Sequence, residues 1–125
     1  MERVTGLGVV FFKAKDSGAL TEWYRTHLGL PVVATAKSPS WCEEAEPQRP
    51  ARTVWSAFPR DTRYFEPSGA PFMINYRVRD LDALLAALRR VGIEVDPNVE
   101  EGEYGRFAWI MDPEGNRVEL WEPPE

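Results

Sequence analysis

The chain has 125 residues, 43% of them hydrophobic, and a formal net charge of −5, which permits one ordinary domain or two half-size modules that share a core. The acidic balance excludes a typical nucleic-acid binder, and the longest apolar run, residues 7–12, is far below the roughly 20 residues that span a bilayer. With no signal-peptide pattern and one cysteine, too few for an internal disulfide, we expect a cytoplasmic protein with neither nucleic acid nor membrane as partner.

The first half of the chain predicts a strand, a helix and further strands. Residues 4–12 are rich in Val and Phe and predict a buried strand. Asp16 is a candidate N-cap, and Gly29 ends the helix that follows. Apolar and aromatic residues recur at helical spacing between them: Leu20, Trp23, Tyr24, His27 and Leu28. Residues 32–36 and 53–58 are strand candidates, separated by a polar, Pro-rich loop.

The second half repeats this plan. At an offset of 64 positions, residues 12–16 (FKAKD) fall on residues 76–80 (YRVRD), with a one-residue slip after the helix. Residues 71–78 predict a strand, and Asp80 predicts the cap of a helix that ends at Gly92. The apolar stripe of that helix is Leu81, Leu84, Leu85, Leu88 and Val91. The remaining strand candidates are a short one at Val95, then Gly105 to Met111 and Arg117 to Glu122.

Two copies are too few for a solenoid, so the repeat predicts two similar modules that face each other across a shared concave site. Each half is expected to be βαβββ. The predicted fold class is α+β, with two βαβββ modules forming a cupped mixed β-sheet and the helices on its outer face. We expect a single domain over residues 1–125, made of a first module (about 4–58), a linker (59–70) and a second module (71–122).

Two segments carry a resemblance to a known family. Residues 23–30 (WYRTHLGL) resemble the FYxxxLGL helix end of the vicinal oxygen chelate superfamily, and residues 112–120 (DPEGNRVEL) resemble its DPxGNxxEL hairpin. This superfamily includes glyoxalase I, extradiol dioxygenases, fosfomycin-resistance enzymes and bleomycin-resistance proteins. The resemblance implies the glyoxalase/bleomycin-resistance-like fold over nearly the whole chain, and homodimerisation, because many relatives complete their cups with a second chain.

The resemblance also implies where a catalytic metal would lie. Catalytic members hold a divalent cation with His or Glu at pseudo-symmetric strand positions, which correspond here to Val9, Trp55, Met73 and Glu119. Only Glu119 could bind a hard cation, since Val and Trp offer no ligand and a Met thioether suits soft metals. We therefore expect no cofactor, although a divalent metal at an unorthodox site stays open.

Glu119 is the candidate catalytic residue, because the resemblance places it in a partly apolar cup. Burial would raise its pKa and suit it to acid–base work or to a cationic ligand. The alternative is a structural carboxylate paired with Arg117 or another arginine. Strand alternation puts Trp121 on the same side as Glu119, and Asn75 on the same side as Met73. The candidate ligand-binding residues are Val9, Trp55, Met73, Asn75, Phe107, Trp109, Glu119 and Trp121.

Three functions remain open from these residues. The first is a metal-free protein that binds a small apolar or aromatic molecule in the cup. The second is a lyase, isomerase or dioxygenase of the same superfamily that uses Glu119, with or without an unorthodox metal site. The third is a non-catalytic dimeric interaction protein, whose cup has become a packed core filled by Trp side chains.

Overall fold

The computed structural model describes residues 2–29, 40–43 and 51–124, and this part of the chain forms one seven-stranded mixed sheet with two helices. The strands are β1 (Val4–Ala14), β2 (Ser40–Glu43), β3 (Ala51–Pro59), β4 (Phe72–Val78), β5 (Glu100–Gly102), β6 (Gly105–Met111) and β7 (Arg117–Glu122). The helices are α1 (Ser17–Leu28) and α2 (Leu81–Arg90). The strand order in the sheet is β2-β3-β1-β4-β7-β6-β5.

The pairing of the strands shows the internal repeat. β1 runs parallel to β3 in the first half, and β4 runs parallel to β7 in the second. An antiparallel pairing of β1 with β4 joins the two halves at the centre of the sheet. The predicted α+β fold of two related modules with a cupped mixed sheet is therefore confirmed.

Both helices begin as the sequence predicts. Asp16 and Asp80 have extended backbones, and their carboxylates accept hydrogen bonds from the amides of Ala19 (2.9 Å) and Ala83 (3.0 Å). α1 ends at Gly29, which adopts the left-handed conformation (φ 70°) that glycine tolerates best. α2 ends at Arg90, two residues before Gly92.

The two helices pack against the same face of the sheet, called here the helix face. Leu81, Leu84 and Leu85 of α2 are buried in a cluster with Val78, Ala108 and Leu120 from three strands. Leu20 and Tyr24 of α1 pack against a second cluster made of Ala14, Trp55 and Ala57. Tyr76 also packs on this face, as strand alternation predicts. The opposite face, called here the cup face, carries a third cluster: Val9, Phe11, Phe65, Met73 and Trp109.

Four predictions differ from the observed elements. Residues 40–43 lie in the predicted polar loop but form β2, which pairs with β3. Val95 makes only an isolated bridge to Ile110, and the strand before β6 is instead β5, at residues 100–102. α1 buries no residue fully, and Trp23 and Leu28 on its predicted apolar stripe are more than half exposed. Val91 is exposed as well, because α2 has ended before it. The strand predicted at residues 32–36 lies outside the described residues.

Candidate functional site

A row of paired residues crosses the middle of the cup face. Val9 of β1 pairs with Asn75 of β4, which pairs with Glu119 of β7, which pairs with Trp109 of β6. Directly paired residues in a sheet point to the same face, so four neighbouring strands bring these side chains together. All four are less than 10% exposed. The cup face therefore has a buried polar centre with apolar side chains at both ends of the row.

Glu119 is the centre of this row and accepts three hydrogen bonds. Its Oε1 accepts from the Asn75 side-chain amide at 2.7 Å. Its Oε2 accepts from the Trp109 indole N–H at 2.9 Å and from the Tyr64 hydroxyl at 2.6 Å. These distances are typical of hydrogen bonds to an ionised carboxylate. The alternative that Glu119 pairs with Arg117 is not what the structure shows, since its hydrogen-bond donors are neutral.

Two opposing effects set the ionisation of this carboxyl. Burial raises the pKa of Glu119, because the charged form loses its hydration. The hydrogen bonds from Tyr64, Asn75 and Trp109 lower the pKa, and the charge of nearby Arg117 lowers it further. Burial is the largest of these effects, so the pKa is raised overall. The raised pKa predicted from the sequence is therefore confirmed in direction.

The linker between the modules covers the centre of the cup face. Phe65 is fully buried there and packs with Phe11, at 6.3 Å between ring centroids, and with Phe58, at 5.9 Å. The guanidinium of Arg117 donates to the carbonyl oxygens of Tyr64 (2.7 Å) and Glu66 (2.9 Å), and thereby fastens the linker backbone to β7. The same guanidinium lies 4.9 Å from the centroid of the Trp109 ring. The cup is thus partly closed by the protein's own chain.

Asn75 has one polar atom that is not satisfied. Its Nδ2 donates to Glu119, whereas its buried Oδ1 has no hydrogen-bond partner among the described residues. That oxygen lies over Gly8 of β1, where a Cβ would be only 2.2 Å from it. The strand glycine therefore makes room for the Asn75 amide, because glycine within a strand permits close approach.

The prediction that Trp55 lines the cup is wrong. Trp55 lies on the helix face, with its ring centroid 4.7 Å from that of Tyr24 in α1. The reason is a slip of one residue in the repeat. Phe11 pairs with Ser56 in the first half, and Asn75 pairs with Glu119 in the second. Asn75 lies 64 positions after Phe11, whereas Glu119 lies 63 positions after Ser56. Because side chains alternate between faces, the counterpart of Glu119 is the buried Ser56 and not Trp55.

The other predicted lining residues lie on the cup face, with different exposure. Val9 and Met73 are buried in its cluster, and Met73 is fully inaccessible. Phe107 and Trp121 are half-buried and stack with their rings nearly parallel, 6.1 Å apart. The Trp121 indole N–H donates to the carbonyl of Tyr104 at 2.7 Å. The open part of the cup face is therefore aromatic, next to the closed centre that contains Glu119.

The residues at the family's metal positions do not fit a divalent cation. With the corrected register they are Val9, Ser56, Met73 and Glu119, which provide one carboxylate and one hydroxyl. The carboxylate already accepts three hydrogen bonds. Within residues 2–29, 40–43 and 51–124, no group of three or more His, Cys, Asp or Glu side chains is placed to hold a metal ion.

Two aromatic residues of the site are absent from the sequence prediction. Tyr64 and Phe65 lie in the segment that the sequence identifies only as a linker. Their signal is an adjacent pair of aromatic residues in an otherwise polar stretch. Nothing local in that stretch connects Tyr64 with Glu119, since 55 positions separate the two.

No described helix is long and apolar enough to cross a membrane.

A family model described as a glyoxalase-like domain matches residues 9–121. A search of curated protein sequences finds no significant match. Among solved structures, methylmalonyl-CoA epimerase from Mycobacterium tuberculosis is 28% identical, with a TM-score of 0.65, over 98% of this chain and 90% of that chain.

Two further solved structures share the fold at lower identity. A glyoxalase/bleomycin resistance protein/dioxygenase superfamily member from Vibrio splendidus is 12% identical, with a TM-score of 0.60, over 98% of this chain and 99% of that one. The Mn(II)-bound glyoxalase from Novosphingobium aromaticivorans is 21% identical, with a TM-score of 0.63, over 98% of this chain and 40% of that one. At these identities the likeness concerns the fold alone.

Proposed function

Because the chain belongs to the glyoxalase-like family of the vicinal oxygen chelate superfamily, we propose that it binds a small apolar or aromatic molecule on the cup face without the family metal. The observation that supports this proposal most is the combination of a buried, hydrogen-bonded carboxylate with aromatic side chains around it. Glu119 supplies the polar anchor, while Trp109, Phe107 and Trp121 supply apolar area. Sites for small molecules generally combine a mostly apolar lining with a few fixed polar groups.

Indole is a suitable first probe, since it is aromatic and small. We expect saturable binding by the chelator-treated protein, with amide shifts in two-dimensional NMR spectra concentrated on β4, β6 and β7. Phe107→Ala should weaken the binding, because Phe107 lies on the cup face. The matched control is Ile110→Ala, on the helix face of the same strand and also half-buried. Equal effects of the two substitutions, or shifts confined to the helix face, would remove the cup from the proposal.

A second candidate function is favoured by the Tyr64–Glu119 contact. A buried carboxyl with a raised pKa suits the acid–base chemistry that an isomerase requires, and the phenol that donates to it at 2.6 Å holds it in a fixed position. The M. tuberculosis relative is an epimerase of methylmalonyl-CoA. Incubation of methylmalonyl-CoA with the protein in deuterated water separates the two functions. Deuterium incorporation that is lost in Glu119→Gln supports the enzyme, and no incorporation leaves the binding function alone.

Homodimerisation and a cytoplasmic location complete the proposal. The argument for a dimer is that a one-sided sheet must cover its second face. The linker residues Tyr64 and Phe65 of the same chain cover part of that face. The third function considered from the sequence is an interaction protein with a packed cup. The contacts of Tyr64 and Phe65 also agree with that function, but the half-exposed Phe107–Trp121 pair favours a site that is still open.

A further inference from the structure

Tyr64 is bound to the cup face in the way that a small aromatic ligand would be. Its hydroxyl donates to Glu119 Oε2 at 2.6 Å. Besides the neighbouring Phe65, three rings of the strands meet its ring edge to face: Phe58 at 5.6 Å, Phe11 at 5.9 Å and Trp109 at 6.4 Å between centroids. Edge-to-face contacts at these distances are favourable beyond the area that they bury. Strands β1, β3, β6 and β7 thus form a place shaped for a phenol.

The linker is held in place by contacts other than the Tyr64 side chain. Phe65 is fully buried between the linker and the sheet. Arg117 donates to the backbone carbonyls of Tyr64 and Glu66, and these bonds do not involve the phenol. Backbone bonds from Ser68 to Phe65 (2.9 Å) and from Glu66 to Arg63 (3.1 Å) stabilise the turns of the linker. The Tyr64 ring itself is only half-buried. Its place can therefore be vacated while the linker remains attached.

We propose that the cup recognises phenols: the ring of the bound molecule takes the place of the Tyr64 ring, and its hydroxyl donates to Glu119. This inference rests on the proposed function and names the class of its ligand. A hydroxyl that donates to an ionised carboxylate makes a strong hydrogen bond, whereas a plain hydrocarbon ring leaves that oxygen with only the Trp109 donor. The cup therefore selects for the hydroxyl as well as for the ring.

The side chain of Tyr64 competes with any such ligand. A group tethered in the same chain acts at an effective concentration of the order of millimolar, so the wild-type protein binds free phenols weakly. Tyr64→Ala removes the competitor and leaves an aromatic-lined cavity next to Glu119. Apolar cavities of this kind bind small aromatic molecules when the filling side chain is removed. The variant should therefore bind phenols more tightly than the wild type does.

The test compares p-cresol, which carries the Tyr side chain's ring and hydroxyl, with toluene, which lacks the hydroxyl. We expect Tyr64→Ala to bind p-cresol at least about tenfold more tightly than the wild type does, and about tenfold more tightly than it binds toluene, by calorimetric titration. Glu119→Gln in the Tyr64→Ala background should remove most of the preference for p-cresol. The control is Tyr104→Ala, which removes an exposed tyrosine (69%) and should leave p-cresol binding unchanged.

A measurement on the wild-type protein covers the case in which Tyr64→Ala does not fold. Titration with p-cresol should shift the Trp109 indole N–H resonance, since that group shares Oε2 with the phenol. Equal affinities for toluene and p-cresol would overturn the phenol class and leave the proposed function standing. If p-cresol does not shift the Trp109 resonance while indole still binds the cup, the phenol class is likewise overturned and the proposed function stands. If indole also fails to bind, both proposals fall.

Discussion

Glu119 shows how burial and hydrogen bonding oppose each other at one residue. Desolvation of a buried carboxylate disfavours its charged form, while three donors favour it. The phenol that donates to it is affected in turn: burial, and next the charge of Glu119, raise the pKa of Tyr64, so Tyr64 stays protonated. The phenol of Tyr64 is therefore the donor in its hydrogen bond to Glu119.

The raised pKa of Glu119 predicts a pH dependence of stability. Since the folded state holds this proton more tightly than the unfolded state does, the stability contributed by the group is fully present below its unfolded pKa of 4.5 and is lost as the pH rises through the folded pKa. Glu119→Gln removes this titration. The free energy of unfolding of the wild type, minus that of Glu119→Gln, should therefore decrease with rising pH, as measured by urea denaturation from pH 4 upwards.

The comparison with Glu119→Gln is needed because other carboxyls act in the opposite sense. Hydrogen bonds from arginine lower the pKa of Glu22, Glu66 and Asp82, and Asn116 lowers that of Asp112. The stability that these groups contribute is lost as the pH falls, and it is lost equally in the wild type and in Glu119→Gln. If the free energy of unfolding of the wild type, minus that of Glu119→Gln, stays constant or increases with pH, the folded state does not hold the Glu119 proton more tightly than the unfolded state does.

At the scale of elements, the two helices differ in how much each contributes to the core. Both have an Asp N-cap and follow a strand of the same kind, so the repeat in the sequence makes them appear equivalent. Yet α2 buries three leucines, while no residue of α1 is fully buried. The second helix therefore holds its half of the sheet by burial of apolar area, which is the main source of helix stability in proteins.

This difference predicts unequal effects of leucine truncation. Leu85→Ala in α2 should lower the free energy of unfolding by about 2–5 kcal/mol, because it removes buried methyl groups and leaves a cavity. Leu28→Ala in α1, where the side chain is 62% exposed, should change it by no more than about 0.5 kcal/mol. Urea unfolding of both variants checks the contrast, and a loss at Leu28 equal to that at Leu85 would contradict it.

The linker is the element whose role the sequence conceals most. Its polar and Pro-rich composition indicates a connection between modules. Tyr64 meets Phe58 of the adjoining β3, but its other contacts on the cup face are with residues of β1, β6 and β7 that are remote in sequence. Such contacts have no local period, so strand or helix patterns do not reveal them.

At the scale of the whole molecule, the two halves share the same strand arrangement but carry different side chains at corresponding positions. The parallel pairs β1–β3 and β4–β7 have equivalent registers when β3 is matched to β7 at an offset of 63 positions and β1 to β4 at an offset of 64. The positions that would hold a metal are then Val9, Ser56, Met73 and Glu119. One carboxylate and three uncharged side chains at these positions hold a divalent cation weakly compared with three protein ligands.

This arrangement predicts that divalent metals do not stabilise the fold. A specific ligand at a hundredfold excess over its Kd adds about 2.7 kcal/mol to the free energy of unfolding and so raises Tm by several degrees. We expect Zn²⁺, Ni²⁺, Mn²⁺ and Fe²⁺ to leave Tm unchanged within about 1 °C of an EDTA-treated control. Near-stoichiometric metal in the purified protein, together with a clear rise of Tm, would show that other residues form a metal site.

The sequence by itself determined the fold class, both helix starts and the cup-facing side of β6 and β7. The helix starts follow from capping by Asp16 and Asp80, and the fold class from the internal repeat and the family resemblance. The cup-facing side of β6 and β7 follows from the position that the resemblance implies for Glu119, together with the alternation of side chains along a strand. Only the tertiary structure decided that Trp55 faces the helices and that Tyr64 reaches Glu119. The physical reason is that a slip of one residue reverses the face of a strand, and that a contact across 55 positions depends on how strands assemble and not on any local pattern.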